Sequence, residues 1–377
     1  MRKSLRFGLL SFGLASTFSI AGGIVPASAQ QDFKIGVVMS VTGPFAGPAR
    51  DTLDGYEGWM KARGLPGKKV VLETLDDETN SVNASNAFRR LAGNPDIKLI
   101  YLFVPSSSVM AVKTLASEFK TPIIAGGAAD AIGIPADPYL FKVAPATRDF
   151  MTRLAQFIKG KGYKKLAMLE PNDSFGQAEM ANMKKFAPEY GIEIVAIETF
   201  GVEDTNFNAQ LTRIRAANPD VIYDGASGRA AILTFKNIKQ LGLTQPLIMG
   251  QSVVAKPFFE GIGGVEVADG LLVPIQLGSF GSASGGETAK LYQELGKGMG
   301  RTPVYYNTFG FDVGLITEGG VKGSDGSRQG IRDALEKLKG MPALNGPVTY
   351  TAEDHTGQNF ESIGMGKLEK GVPVYTK

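Results

Sequence analysis

From Lys34 onward, short apolar runs alternate with helix-length amphipathic stretches, and the whole alternation occurs twice. The first series runs KIGVVMS (34–40), LDGYEGWMKARG, KVVLETLDD (69–77), NASNAFRRLAG, LIYLFVP, VMAVKTLASEFK and PIIAGGAA (122–129). The second begins near Arg148 and runs through KLAMLEP (165–171), QAEMANMKKFAPEYG, IEIVAIETF (192–200), FNAQLTRIRAA, DVIYDGAS (220–227), AAILTFKNIKQLG and PLIMGQS (246–252). Parallel strands need a crossover long enough to be a helix, so this order predicts parallel sheets covered by helices on both faces. In each series a helix ends in Asn-Pro-Asp, at 94–96 and again at 218–220, and an apolar strand and a small-residue loop follow. One such tripeptide is only a turn signal. At equivalent places in two series it marks two copies of one plan. The predicted fold is α/β, with two similar doubly wound parallel-sheet lobes.

Three segments read as crossings between the lobes: YLFKVAPAT (139–147), ADGLLVPIQL (268–277) and LNGPVTYTAEDHTG (344–357). Each mixes extended apolar residues with Pro or Gly, as a hinge strand does. The boundaries that follow are 30–144 plus 272–345 for lobe 1 and 145–271 plus 346–377 for lobe 2. The Gly/Ser stretch GSFGSASGGETAK (278–290) has no lysine in a phosphate-cradling pattern and reads as a surface loop.

Residues 1–29 read as a cleavable secretory signal, with Arg2, Lys3 and Arg6 ahead of an uncharged middle and the small-residue site ASA at 27–29. A retained membrane anchor is the alternative, and the Gly, Ser and Thr content argues against it. Without the three basic residues the chain has equal numbers of acids and bases, so its positive formal charge is no argument for nucleic acid. Cysteine is absent, which excludes disulfides, thiolate metal sites, a cysteine nucleophile and a lipidated cysteine. The single histidine, His355, removes any mechanism that needs two imidazoles.

Ser106, Ser107 and Ser108 stand where the strand LIYLFVP gives way to a helix. Free N–H groups and the partial positive charge of a helix start favour an anion there, and hydroxyls add donors without charge. Helix capping accounts for one serine and poorly for three. A serine nucleophile would need a base, and no Gly-x-Ser-x-Gly elbow is present. Two lobes, a hinge and no catalytic constellation point to a non-enzymatic binding protein that closes on a small molecule. No cofactor or metal is expected.

Taken in order, KIGVVMSVTGPFAG, the serines 106–108, NDSFGQ (172–177), NPDVIYDG (218–225), LIMGQ (247–251), VADGLLV (267–273) and GPVTYTAEDHTG give the chain a recognisable cast. It resembles the periplasmic solute-binding proteins of ATP-binding-cassette importers, of the leucine/isoleucine/valine-binding type, over essentially the whole mature chain. The resemblance implies a type I periplasmic binding protein fold, a Gram-negative periplasmic address, an inner-membrane permease as partner and a monomer. It implies that the ligand's carboxylate is held by Ser106 to Ser108 and by the loop carrying Ala128, Ala129 and Asp130. Amino-acid binders of this type add two aromatics and an acid for the ligand's ammonium; the matching positions here are Phe175, Ala226 and Ser252. Losing that acid removes a charge-assisted partner worth roughly 1.5–3 kcal/mol. Phe45, Tyr305 and Tyr306 fall in segments that line the first-lobe side. The expected ligand is therefore an aromatic or other hydrophobic carboxylate. Alternatives are an amino acid, with Asp130 taking the ammonium, and a sensory receptor module on the same fold.

Overall fold

The computed structural model describes residues 31–201 and 203–376, so the expected signal sequence lies outside the described residues. The first series folds as β1 (Gln31–Met39), α1 (Ala46–Ala62), β2 (Lys68–Asp76), α2 (Ser81–Ala92), β3 (Ile97–Phe103), α3 (Ser106–Phe119), β4 (Ile123–Ala125), α4 (Asp130–Gly133) and β5 (Leu140–Lys142). The second folds as α5 (Thr147–Gly160), β6 (Lys165–Pro171), α6 (Ser174–Tyr190), β7 (Glu193–Phe200), α7 (Asn208–Ala216), β8 (Val221–Asp224), α8 (Gly228–Gln240), β9 (Leu247–Met249), α9 (Lys256–Ile262) and β10 (Leu272–Gln276). The chain then adds α10 (Gly286–Met299), α11 (Tyr305–Lys322) and α12 (Arg328–Glu336) to lobe 1, and ends with β11 (Ile363–Glu369) and β12 (Val372–Tyr375) in lobe 2. Among the described residues no helix is long and apolar enough to cross a membrane.

The strand order makes the internal repeat explicit. Sheet one is β2-β1-β3-β4-β5, all parallel, and sheet two contains β7-β6-β8-β9-β10, the same order in the second series. This is a doubly wound order, with its switch point between the first and third strands of each series, β1/β3 and β6/β8, and ligands on such sheets sit outside the carboxyl ends of the strands. Sheet two is completed by β11 and β12, both antiparallel to their neighbours.

The expected lobe boundaries differ from this arrangement in two places. Residues 272–276 form the fifth strand of the second sheet, pairing Leu272 with Ile248 on one side and with Lys367 on the other. The chain therefore returns to lobe 1 only after Gln276, at the point equivalent to its exit after Lys142. Residues 346–357 also stay with lobe 1: Val348 and Tyr350 join the core built on β1, α1 and α11, and Lys142 N donates to His355 O at 2.8 Å. Pro and Gly marked these segments as crossings but not on which side each apolar run is buried. The Gly/Ser stretch is also more than a surface loop. Gly278 to Gly281 are buried, and the Phe280 ring packs edge-on against Tyr375 with centroids 5.6 Å apart.

Within lobe 1, α1 and α11 pack closely because glycines leave room for the opposing helix. A Cβ on Gly310 would lie 1.9 Å from Thr52 O, and one on Gly314 would lie 2.2 Å from the Trp59 ring. Trp59, the only tryptophan, is fully buried there.

Candidate functional site

The carboxyl ends of both sheets face each other across a cleft that encloses about 730 Å³, its mouth included. Lobe 1 contributes Phe45 and Thr52, the ends of β3 and β4 (Phe103 to Ser106, Gly126 to Ala128), Ala144, and the first two turns of α11 (Tyr305, Tyr306, Phe309). Lobe 2 contributes Asp173 and Phe175 after β6, Gly225 and Ser227 after β8, and Gly250, Gln251 and Ser252 after β9. The lips touch: Arg229 N donates to Pro44 O at 3.2 Å, across the cleft.

The three serines have three different surroundings. Ser106 lines the cleft, and its Oγ accepts the Ala128 and Ala129 N–H groups at 3.1 and 3.3 Å, leaving its own proton to donate. Ser107 is half-buried and opens on a recess beside the cleft, with Thr79, Pro105 and Asp173. Ser108 is fully buried and donates to Asp77 Oδ2 at 3.0 Å, while Ser40 donates to the other oxygen at 2.7 Å. Burial raises the Asp77 pKa, and the bonds from Ser40, Thr79 N and Ser108 offset part of that. Ser108 therefore ties α3 to the ends of β1 and β2, and Ser106 is the serine of the run that lines the cleft.

Ala128 lines the cleft, whereas Ala129 is buried behind it. Asp130 is turned away. Its carboxylate accepts from Thr147 Oγ1 (2.8 Å), Arg148 N (3.1 Å) and Asn182 Nδ2 (2.6 Å). The N-cap position of α5 is Ala146, which has no side-chain acceptor, so Asp130 supplies the missing one from the start of α4 and also joins α6. An ammonium role for Asp130 is not compatible with this placement.

On the lobe 2 side, Phe175 stands in the cleft, whereas Ala226 does not. It is fully buried, its N–H bonds Asp224 Oδ1 at 3.0 Å and its carbonyl accepts from Ser252 Oγ at 3.2 Å. Side chains alternate along an extended segment, so the flanking Gly225 and Ser227 are the cleft positions. Ser252 does line the cleft, its hydroxyl already tied to Ala226. Phe45 meets Tyr306 edge-on at 6.1 Å, and Tyr306 lies 4.8 Å from Tyr305. These two tyrosines project from a lobe 1 helix, yet their rings pack against the lobe 2 core.

Cleft positions that sequence reading left unassigned include Phe103, Phe309, Gln251 and Asp173. Strand-end placement could have flagged the first and third. Asp173 is the N-cap of α6, accepting from Phe175 N and Gly176 N at 3.0 and 3.1 Å, and burial raises its pKa against those bonds. Behind Gly225 lies a group of buried acids, Glu170, Glu179 and Asp224. Burial pushes Asp224 to about 7 and Glu179 to about 8, and drives Glu170 well upward, with the Glu179 charge adding to the effect. Tyr223 Oη donates to Glu179 at 2.9 Å. A wall backed by acids held toward their neutral form offers little fixed negative charge to a ligand cation.

Residues 32–362 match the family described as periplasmic binding protein. The Leu/Ile/Val-binding protein homolog 3 of Brucella melitensis is 25% identical over 267 residues, covering 68% of this chain and 70% of that protein. A leucine binding protein from Thermotoga maritima superposes with a TM-score of 0.80 at 20% identity, covering 91% of this chain and 97% of its own. A solute binding protein of an ABC transporter from Rhodopseudomonas palustris, in complex with benzoate, superposes with a TM-score of 0.79 at 20% identity, covering 91% and 95%. The repeated sheet order, the cleft between facing strand ends and the match across nearly the whole described chain agree: the chain belongs to the periplasmic binding protein family.

Proposed function

We propose that this chain is exported to the periplasm, captures a small aromatic or hydrophobic carboxylate between its lobes without chemical conversion, and hands it to an inner-membrane ABC permease. One observation carries the choice of ligand. The lobe 2 loops after β8 and β9 present Gly225, Ser227, Gly250, Gln251 and Ser252, none of them acidic, while Phe45, Phe103, Phe175, Tyr305, Tyr306 and Phe309 surround the cleft with rings. Ser106 and the start of α3 offer hydroxyl and backbone donors to a carboxylate. One similar fold is a leucine binding protein and another was solved in complex with benzoate, so the lining rather than the fold supports the assignment.

An amino acid is the second reading, favoured by the Asp173 carboxylate in the cleft, one oxygen of which accepts two backbone N–H groups. A thermal-shift panel on refolded, ligand-stripped mature protein separates the two. It compares benzoate, hydroxybenzoates, benzoylformate and phenylacetate with leucine, isoleucine, valine and phenylalanine. Ligand at a hundred times its Kd adds about 2.7 kcal/mol, a shift of several degrees. Shifts confined to the acids support the proposal, and shifts confined to amino acids would transfer the ammonium to Asp173.

A further inference from the structure

Lys142 is the last residue of β5 and its side chain is fully buried at the hinge. Its Nζ donates to Pro145 O at 3.0 Å, in the first crossing, and to Ala128 O at 3.2 Å, in the loop that lines the cleft. The Ala128 carbonyl belongs to the same peptide group as the Ala129 N–H, which donates to Ser106 Oγ. A continuous relay therefore runs from the ammonium through one polarised peptide to the hydroxyl that faces the cleft. Each bond in such a chain strengthens the next donor.

The charge is also without a contacting partner. Among the described residues no carboxylate lies within ion-pair distance of Lys142, although a buried ammonium is costly unless paired. Four charged side chains influence it from the elements packed around it. Asp130 is occupied by Thr147, Arg148 N and Asn182, and Asp149 accepts from Ala146 N. Asp354 and Arg148 pair with each other at 3.5 Å. His355 gives Lys142 only its backbone carbonyl, its ring bonding Leu140 O at 2.9 Å.

We propose that Lys142 is a positioning residue for anion recognition, its ammonium stabilising the ligand's carboxylate from behind the cleft wall through the Ala128–Ala129 peptide and Ser106. This rests on the reading that the cleft takes a carboxylate and goes beyond it by assigning the buried counter-charge. Burial lowers the Lys142 pKa to about 7, with Asp130, Asp149 and Asp354 raising it and Arg148 lowering it. Binding an anion nearby favours the protonated form, so the carboxylate binds with proton uptake near neutral pH and more weakly as pH rises through that range.

The test is titration calorimetry of the mature protein with benzoate at pH 7 in two buffers of different ionisation enthalpy, repeated on Lys142→Met and Lys142→Arg. Wild type takes up protons, of which the Lys142 share is a fraction of one, up to about half. Lys142→Met loses affinity on the order of tenfold together with part of the uptake. Lys142→Arg, charged at every pH used, keeps affinity while losing the same part. The variants are needed because Asp224 and Glu179 titrate in the same range and act with the same sign. Wild-type affinity and wild-type proton uptake in Lys142→Met would overturn the inference. Leucine carries the same carboxylate, so if it binds and benzoate does not, the aromatic assignment falls and the Lys142 comparison is made on leucine. Binding of no carboxylate in the panel removes both.

Discussion

Ser106 and Ser108 are two residues apart and chemically identical, yet about half a turn of helix puts them on different faces and gives them different work. Ser106→Ala removes a cleft hydroxyl and the acceptor for two backbone N–H groups, and should weaken carboxylate binding about tenfold, as expected for a charge-assisted bond. Ser108→Ala leaves an oxygen of buried Asp77 short of a donor and should cost about 1–3 kcal/mol of stability, with affinity nearly unchanged. Calorimetry alongside denaturant unfolding of both variants checks this division, and reversed effects would refute it. The sequence made the serine loop legible because a run of hydroxyls at a strand-to-helix junction exceeds what capping requires. It could not separate the three, because that depends on which face of α3 meets Asp77. Asp130 was misplaced for a related reason. Its partners Thr147, Arg148 and Asn182 come from other elements, and a local sequence window cannot contain them.

The pairing of β6 with β8, and the packing of α6 over both, collects Glu170, Glu179 and Asp224 in one buried group, and burial raises all three pKa values. Acids whose folded pKa exceeds the unfolded value of about 4 stabilise the fold fully below that value and lose the contribution as pH rises through the folded pKa. Asp51 and Asp312, each raised to about 6 by burial, act in the same direction. His355, whose pKa burial lowers, acts oppositely, losing stability as pH falls through its folded value. Lys142 also opposes the acids, but over a higher range, from its folded value of about 7 upward. The net expectation is a thermal midpoint several degrees higher near pH 5.5 than near pH 7, the acids outweighing one histidine. A midpoint that rises between those pH values would show that the acids are ionised in the fold without penalty. At this scale the alternation of strands and helices was readable nearly end to end. The side taken by 272–276 was not, because an apolar strand looks the same whichever sheet it completes.

At the cleft lips the lobes meet through backbone, Arg229 N donating to Pro44 O. Gly228 has φ +55°, and a Cβ there would lie 2.2 Å from Pro44 O on the opposite lobe. Gly228→Ala should therefore strain the start of α8 and hold the lips apart, weakening ligand binding by at least tenfold while each lobe stays folded. Solution scattering with saturating ligand reads this directly: wild type compacts to the closed dimensions and the variant remains larger. Equal compaction in both would mean that the lip contact is dispensable. The two-lobed plan follows from the repeated Asn-Pro-Asp junctions, whereas the closed geometry depends on contacts between segments far apart in the chain, such as Pro44 with Arg229.

The central claim is the proposal that this cleft takes a carboxylate on an aromatic body in preference to an amino acid. Titration calorimetry of ligand-stripped mature protein with benzoate and phenylacetate on one side, and phenylalanine and leucine on the other, tests it most directly. The account predicts saturable binding of at least one aromatic acid and an affinity for both amino acids at least tenfold weaker. Tighter binding of leucine or phenylalanine than of either acid would contradict it and place the ligand's ammonium at Asp173.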